Sequence, residues 1–125
     1  MLKRVAMVGQ CGPDASYLRL AVSRAVKDSQ IVAADEQEEL EQVLKDGVDL
    51  LLINRQLDWG FPVSDGIALI QLIREKHPHL KLMLISNYPE AQQTAVDAGA
   101  LPGFGKREIG SPRVTELLQS ALSNQ

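Results

Sequence analysis

The run VDLLLI, Val48 to Ile53, sets the strongest limit on what this chain can fold into. Apart from Asp49 it is uninterruptedly apolar, the pattern of a strand covered on both faces inside a parallel sheet. It delivers Asn54 to the strand's carboxyl end, and a polar loop with Gly60, Pro62 and Gly66 follows. Ligands of open α/β sheets bind just outside such strand ends, so what Asn54 can and cannot do is the main question.

The rest of the chain supplies partners for this central strand. Lys3 to Val8 is a short apolar run ending in the turn GQCGPD, and it reads as a first buried strand. Asp14 is a good N-cap, and Ala15, Leu18, Ala21, Val22, Ala25 and Val26 recur behind it at helical spacing. Ile31 to Ala34 is a second strand, followed by a helix with the stripe Leu40, Val43 and Leu44 that Gly47 ends. Beyond the long loop, Ser64 or Asp65 caps a helix carrying Ile67, Leu69, Ile70, Leu72 and Ile73, stopped at His77-Pro78. Leu82 to Ile85 is the fourth strand and delivers Ser86 and Asn87; Pro89 opens a short helix that Gly99 closes. Gly103 to Gly105, around Phe104, is a weak fifth strand. Ser111 and Pro112 then begin a helix with Val114, Leu117, Leu118, Ala121 and Leu122 on one face. Five strands alternating with five helices over short connections predict an α/β fold, a parallel sheet with helices on both faces.

Composition narrows the function classes. At 125 residues, 13.7 kDa and 45% hydrophobic content, the chain reads as a single domain, 1–125, with a real core. Its 13 basic and 16 acidic side chains are mixed along the sequence for a net charge of −3, which argues against nucleic-acid binding. The brief acidic run Asp35 to Glu41 is the solvated face of a helix. The apolar stretch behind Lys3 and Arg4 is too short for a signal peptide, and no run approaches the ~20 apolar residues of a membrane span. The single cysteine, Cys11, fits a reducing compartment, so a cytoplasmic location without membrane contact is expected.

Two strings and one residue carry a resemblance to a known family. DGIALIQLIREKHP resembles the third helix, with its aspartate-glycine entry, of the receiver domains of two-component response regulators. Ser86 falls where that family has a threonine or serine at the end of strand four, and DAGALPGFGKREI resembles its Ala-Gly-Ala turn, fifth strand and lysine, here Lys106. The likeness covers essentially the whole chain. It implies a flavodoxin-like three-layer sandwich with strand order 2-1-3-4-5, and a part in phosphorelay signal transduction.

The family's chemistry requires an aspartate at the end of strand three as phosphoryl acceptor, with two acidic residues at the end of strand one to hold Mg²⁺. Here the acceptor position is Asn54, and the end of strand one reads Gly9, Gln10, Cys11, Gly12, Pro13, Asp14. An amide is not a useful nucleophile toward a phosphoryl donor. Mg²⁺ prefers anionic oxygen ligands, and phosphoryl transfer depends on metal charge and positioning. The chain therefore reads as a pseudo-receiver that is not phosphorylated and has no metal, cofactor or enzymatic activity. The family's switch aromatic, three residues before the lysine, is Gly103, with Phe104 beside it.

Other residues carry weaker signals. Asn54 either hydrogen-bonds Lys106 as a fixed mimic of one switch state or satisfies loop backbone groups. Asp58 and Asp65 are possible displaced acceptors, although turn and capping roles are commoner for such carboxylates. The turn Gly9 to Asp14 precedes a helix and offers amides to an anion, but it holds no GxGxxG or Walker pattern. Cys11 becomes reactive only with a cationic neighbour, such as Lys106, or a helix-end environment. His77 and His79 are surface turn residues rather than metal ligands. Trp59 and Phe61 either anchor a partner or fold over the pocket as a plug.

The expectation is a stand-alone receiver-like module acting through protein contact, as a partner's ligand or a homodimer. The surface expected is that of helix four, strand five and helix five, including Gly103, Phe104, Arg107 and Arg113. The alternative is a small-ligand or anion sensor whose pocket comprises Gly9, Gln10, Cys11, Asp14, Ser86, Asn87 and Lys106.

Overall fold

The computed structural model describes residues 2–10 and 12–123. Five strands, β1 (Lys3–Val8), β2 (Ser29–Ala34), β3 (Leu50–Asn54), β4 (Leu82–Ile85) and β5 (Leu101–Phe104), alternate with five helices. These are α1 (Gly12–Ala25), α2 (Gln37–Asp46), α3 (Gly66–Lys76), α4 (Pro89–Asp97) and α5 (Pro112–Ala121). The sheet is parallel throughout, in the order β2-β1-β3-β4-β5.

The apolar runs of the inner strands follow from burial on both faces. Along β1, Val5 and Met7 face one side and Ala6 and Val8 the other; Leu50 and Leu52 alternate with Leu51 and Ile53 in the same way along β3. The first side packs on Leu18, Val22, Val114 and Leu118 of α1 and α5. The second packs on Leu40, Leu69, Ile70 and Ala95 of α2, α3 and α4. The core is thus two layers separated by the sheet, and an interruption of either stripe would leave half of a strand uncovered.

Helix ends agree with the sequence in part. Asp65 caps α3 by accepting a hydrogen bond from the Ile67 amide at 2.7 Å, and Ser111 caps α5 through the Val114 amide at 3.4 Å. The helix expected to start at Asp14 starts at Gly12, which places Asp14 in the first turn rather than at the cap. β5 starts two residues earlier than expected, and a 3₁₀ turn, Lys106–Glu108, follows it. That turn is tied by the Glu108 side chain, whose Oε2 accepts from the Gly105 amide at 3.0 Å. No described helix is long and apolar enough to cross a membrane.

Candidate functional site

The carboxyl end of β3 is braced by the loop that follows it. Residues 54–66 fold back as a narrow hairpin: Gln56 and Asp65 form an antiparallel bridge, and the Leu57 amide donates to Ser64 O at 3.0 Å. The Gly66 amide donates to Arg55 O at 2.7 Å, and an added Cβ at Gly66 would collide with the Asn54 carbonyl. The aspartate-glycine entry of α3 is therefore a steric requirement, since only glycine lets the helix press against the strand end. Within this frame the Asn54 Nδ2 donates to Gln56 O at 2.9 Å. Asn54 satisfies its own loop; the described contacts give it no bond to Lys106.

Lys106 instead pairs with Asp14, Nζ to Oδ2 at 2.7 Å, with side chains 35% and 26% exposed. The pair joins the 3₁₀ turn after β5 to the first turn of α1, and at this exposure contributes about 1 kcal/mol or less. Ser86 is buried, and its Oγ accepts from the Tyr88 amide at 3.1 Å. Asn87 Oδ1 accepts from the Arg107 amide at 3.1 Å. The Tyr88 ring carries the Arg55 guanidinium at 5.0 Å from its centroid, a cation–π pairing.

The described residues of the sequence-predicted pocket are divided between two cavities, with Asp14 joined to the first through Lys106. Ser86, Asn87 and Lys106 line a cavity of about 160 Å³ together with Asn54, Arg55, Gln56, Ile85 and Tyr88. Gly9 and Gln10 line a separate cavity of about 360 Å³ with Asp35, Leu57, Asp58, Trp59 and Phe61. The first contains no carboxylate and the second contains no cationic side chain among these residues. Gln10 is buried, donating through Nε2 to Leu52 O at 3.3 Å and leaving Oε1 unpartnered. Cys11 lies outside the described residues.

Asp65 is occupied as the cap of α3, and Asp58 is exposed at the second cavity, away from Asn54's own. Among the described residues no three His, Cys, Asp or Glu side chains stand close enough to hold a metal ion. Trp59 and Phe61 divide the two roles considered for them. Phe61 is half-buried against the α2–α3 layer, whereas Trp59 is 71% exposed. Between them Gly60, at φ +89°, presses on the β2–α2 connection, and its carbonyl accepts from the Gln37 amide at 2.7 Å. The loop thus supplies the N-terminal cap that α2 lacks in its own side chains.

Two residues assigned to the exposed surface are buried. Phe104 is wholly enclosed on the α1–α5 side of the sheet, and Gly103 sits where a Cβ would collide with Leu84 O. An α4 side chain fills the position beside it. The Gln92 Nε2 donates to Leu84 O at 2.9 Å and Ser86 O at 3.1 Å, while its Oε1 accepts from the Gly103 amide at 3.1 Å. The bracing amide lies next to the register shift between β4 and β5. Arg107 and Arg113 are exposed; Arg113 bonds Glu108 at 2.8 Å and Gly103 O at 3.2 Å.

Sequence reasoning passed over Arg55, Tyr88 and Gln92. None belongs to a motif, and only the β3–β4 register, which sets Asn54 beside Ile85, shows that Arg55 and Tyr88 meet.

No family model and no curated protein matches the sequence. Solved structures do match the fold. NtrX from Brucella abortus superposes with a TM-score of 0.75 at 21% identity, over 98% of this chain and 28% of that one. Its separately solved receiver domain gives 0.72 at 22% identity, over 97% and 99%. The response regulator RcsB from Salmonella typhimurium gives 0.76 at 16% identity, over 98% of this chain and 62% of that one. A beryllofluoride-activated NtrC4 receiver-domain dimer gives 0.69 at 18% identity, over 95% of each chain. The fold is that of a response-regulator receiver domain. The chain spans little more than a quarter of NtrX and about three-fifths of RcsB.

Proposed function

We propose that this chain is a receiver-like domain of two-component signalling that is not phosphorylated at the end of β3 and acts through protein contact. The observation that carries the reading is Asn54, which stands at the carboxyl end of the central strand with its amide turned onto Gln56 O. A carboxamide supplies no nucleophile for a phosphoryl group. The neighbouring chemistry agrees: Gln10 is a neutral amide, and Asp14 is engaged by Lys106. On this reading the domain is a binding module rather than a catalyst and works in the cytoplasm.

The contact surface is the α4–β5–α5 face. It carries a hollow of about 490 Å³ between Pro89 and Gln93 of α4, Pro102 of β5 and Arg113 of α5. Arg107 stands exposed beside Asn87, one of the residues lining this hollow. A separate protein or a second copy of the domain would dock there, with Arg107 and Arg113 at the rim, where charge acts mainly on association rate and specificity.

The test is an amide NMR spectrum recorded before and after adding Mg²⁺ with beryllofluoride. Unchanged resonances for Asn54, Ser86 and Lys106 are expected. A cooperative shift of the three would show a rebuilt acidic site and refute the reading.

A further inference from the structure

We propose that the cavity walled by the loop after β3 and the β2–α2 connection is a binding site for a small primary alkylammonium ion, held by Asp35, Asp58 and Gln10 beside the Trp59 indole. This cavity is separate from that of Asn54 and Lys106, so its occupancy is independent of phosphoryl chemistry at the end of β3.

The charge of the lining has one sign. Asp35 and Asp58 are its charged residues, and none is cationic. Among the described residues neither carboxylate is engaged in an ion pair or a hydrogen bond. Glu39 adds to the same field, its Oε1 accepting from the Asp35 amide at 2.8 Å. Uncompensated charge of one sign in a concave surface concentrates the opposite ion.

Gln10 is the independent sign of a ligand. It is the buried polar member of the lining, 8% exposed, with its Nε2 committed to Leu52 O at 3.3 Å and its Oε1 enclosed without a donor. Buried acceptors are nearly always paired, so an unpaired one marks a place for a donor that arrives with a bound molecule. An ammonium brings three N–H donors and no acceptor, which matches one amide oxygen and two carboxylates.

The shape selects an organic cation rather than a metal ion. Gly60, at φ +89°, presses on Asp35 O and Glu36, and this close approach sets the two carboxylates across one cavity. Leu57 is buried and Phe61 half-buried, and together they give an apolar wall; Trp59 stands 71% exposed at the mouth, where its face can carry a cation. An alkylammonium uses the wall and the indole as well as the acceptors, whereas Mg²⁺ needs near-octahedral oxygen ligands and gains nothing from either. The volume of about 360 Å³ is that of a small-molecule site.

Trp59 is the chain's single tryptophan, so its fluorescence reports on the site directly. The experiment is a fluorescence titration of the full chain with n-butylammonium chloride, with sodium chloride at matched ionic strength as control and ¹H–¹⁵N NMR in parallel. A saturable change in the millimolar range is expected, with shifts of the Gln10 side-chain amide and the Trp59 indole N–H. Asp58→Asn should weaken binding about tenfold, as expected for loss of a charge-assisted hydrogen bond, and Asp58→Lys should abolish it. Both variants should fold, since Asp58 is exposed and its carboxylate is unengaged; circular dichroism checks this. Tetramethylammonium, which has no N–H, should bind far more weakly. A linear change equal to that of sodium chloride would overturn the proposal, as would wild-type affinity in folded Asp58→Lys or equal affinity for tetramethylammonium. Saturation by Mg²⁺ but not by butylammonium would overturn it in favour of a metal site.

Discussion

Gln92→Ala should destabilise the fold more than any other single polar truncation on the α4 face. The amide accepts from Gly103 N and donates to the carbonyls of Leu84 and Ser86, all at 3.1 Å or less. Alanine removes the Gln92 acceptor from Gly103 N and the Gln92 donor from the Leu84 and Ser86 carbonyls, next to the β4–β5 register shift. An orphaned buried group costs about 1–3 kcal/mol, and Gln92 is half-buried, so water will relieve part of the loss. A net cost of about 2 kcal/mol follows, or a fall in Tm of about 8 °C for a domain of this size. Urea denaturation measures it, and amide hydrogen exchange localises it: Gly103 N–H should lose protection while Leu51 and Leu52 keep theirs. Gln92→Leu, which keeps the bulk, should not rescue. A cost below about 0.5 kcal/mol with Gly103 still protected would refute the bracing role, since that is the scale of an ordinary surface substitution.

Gly66→Ala should cost about 3 kcal/mol or more, because its Cβ meets the Asn54 carbonyl rather than a movable side chain; full stability in urea would contradict that close approach. Asp65→Ala removes the cap of α3 and should cost about 1 kcal/mol, read from the shift in urea midpoint at constant m. Lys106→Ala should change stability by less than about 1 kcal/mol, because the Asp14 pair is partly exposed; thermal unfolding checks it. Trp59→Ala should leave stability within about 0.5 kcal/mol while Phe61→Ala costs measurably more, a contrast that follows from the outward indole and the inward ring.

The order of elements and the two-faced sheet were legible because uninterrupted runs such as Leu50 to Ile53 have one common explanation in an α/β chain. Residue identity alone also marked Asp65 as a cap. The side of the sheet on which Phe104 lies was not legible. A four-residue strand with a register shift has too short a pattern to fix its face, so the sequence does not show that Phe104 points into the core. Likewise Asp14 carries the signature of an N-cap, yet Gly12 and Pro13 extend the helix ahead of it. The division of the strand-end pocket into a donor-lined and an acceptor-lined cavity depends on contacts between residues tens of positions apart. Arg55 with Tyr88 and Lys106 with Asp14 are two such pairs, and no local spacing encodes them.

The central claim is that this receiver fold accepts no phosphoryl group. Its most direct test is the intact mass of the protein after incubation with acetyl phosphate and Mg²⁺, at neutral pH and without acid quench. The account predicts an unchanged mass for the wild type. A stoichiometric gain of one phosphoryl group, mapped to Asp14, Asp58 or Asp65, would contradict it.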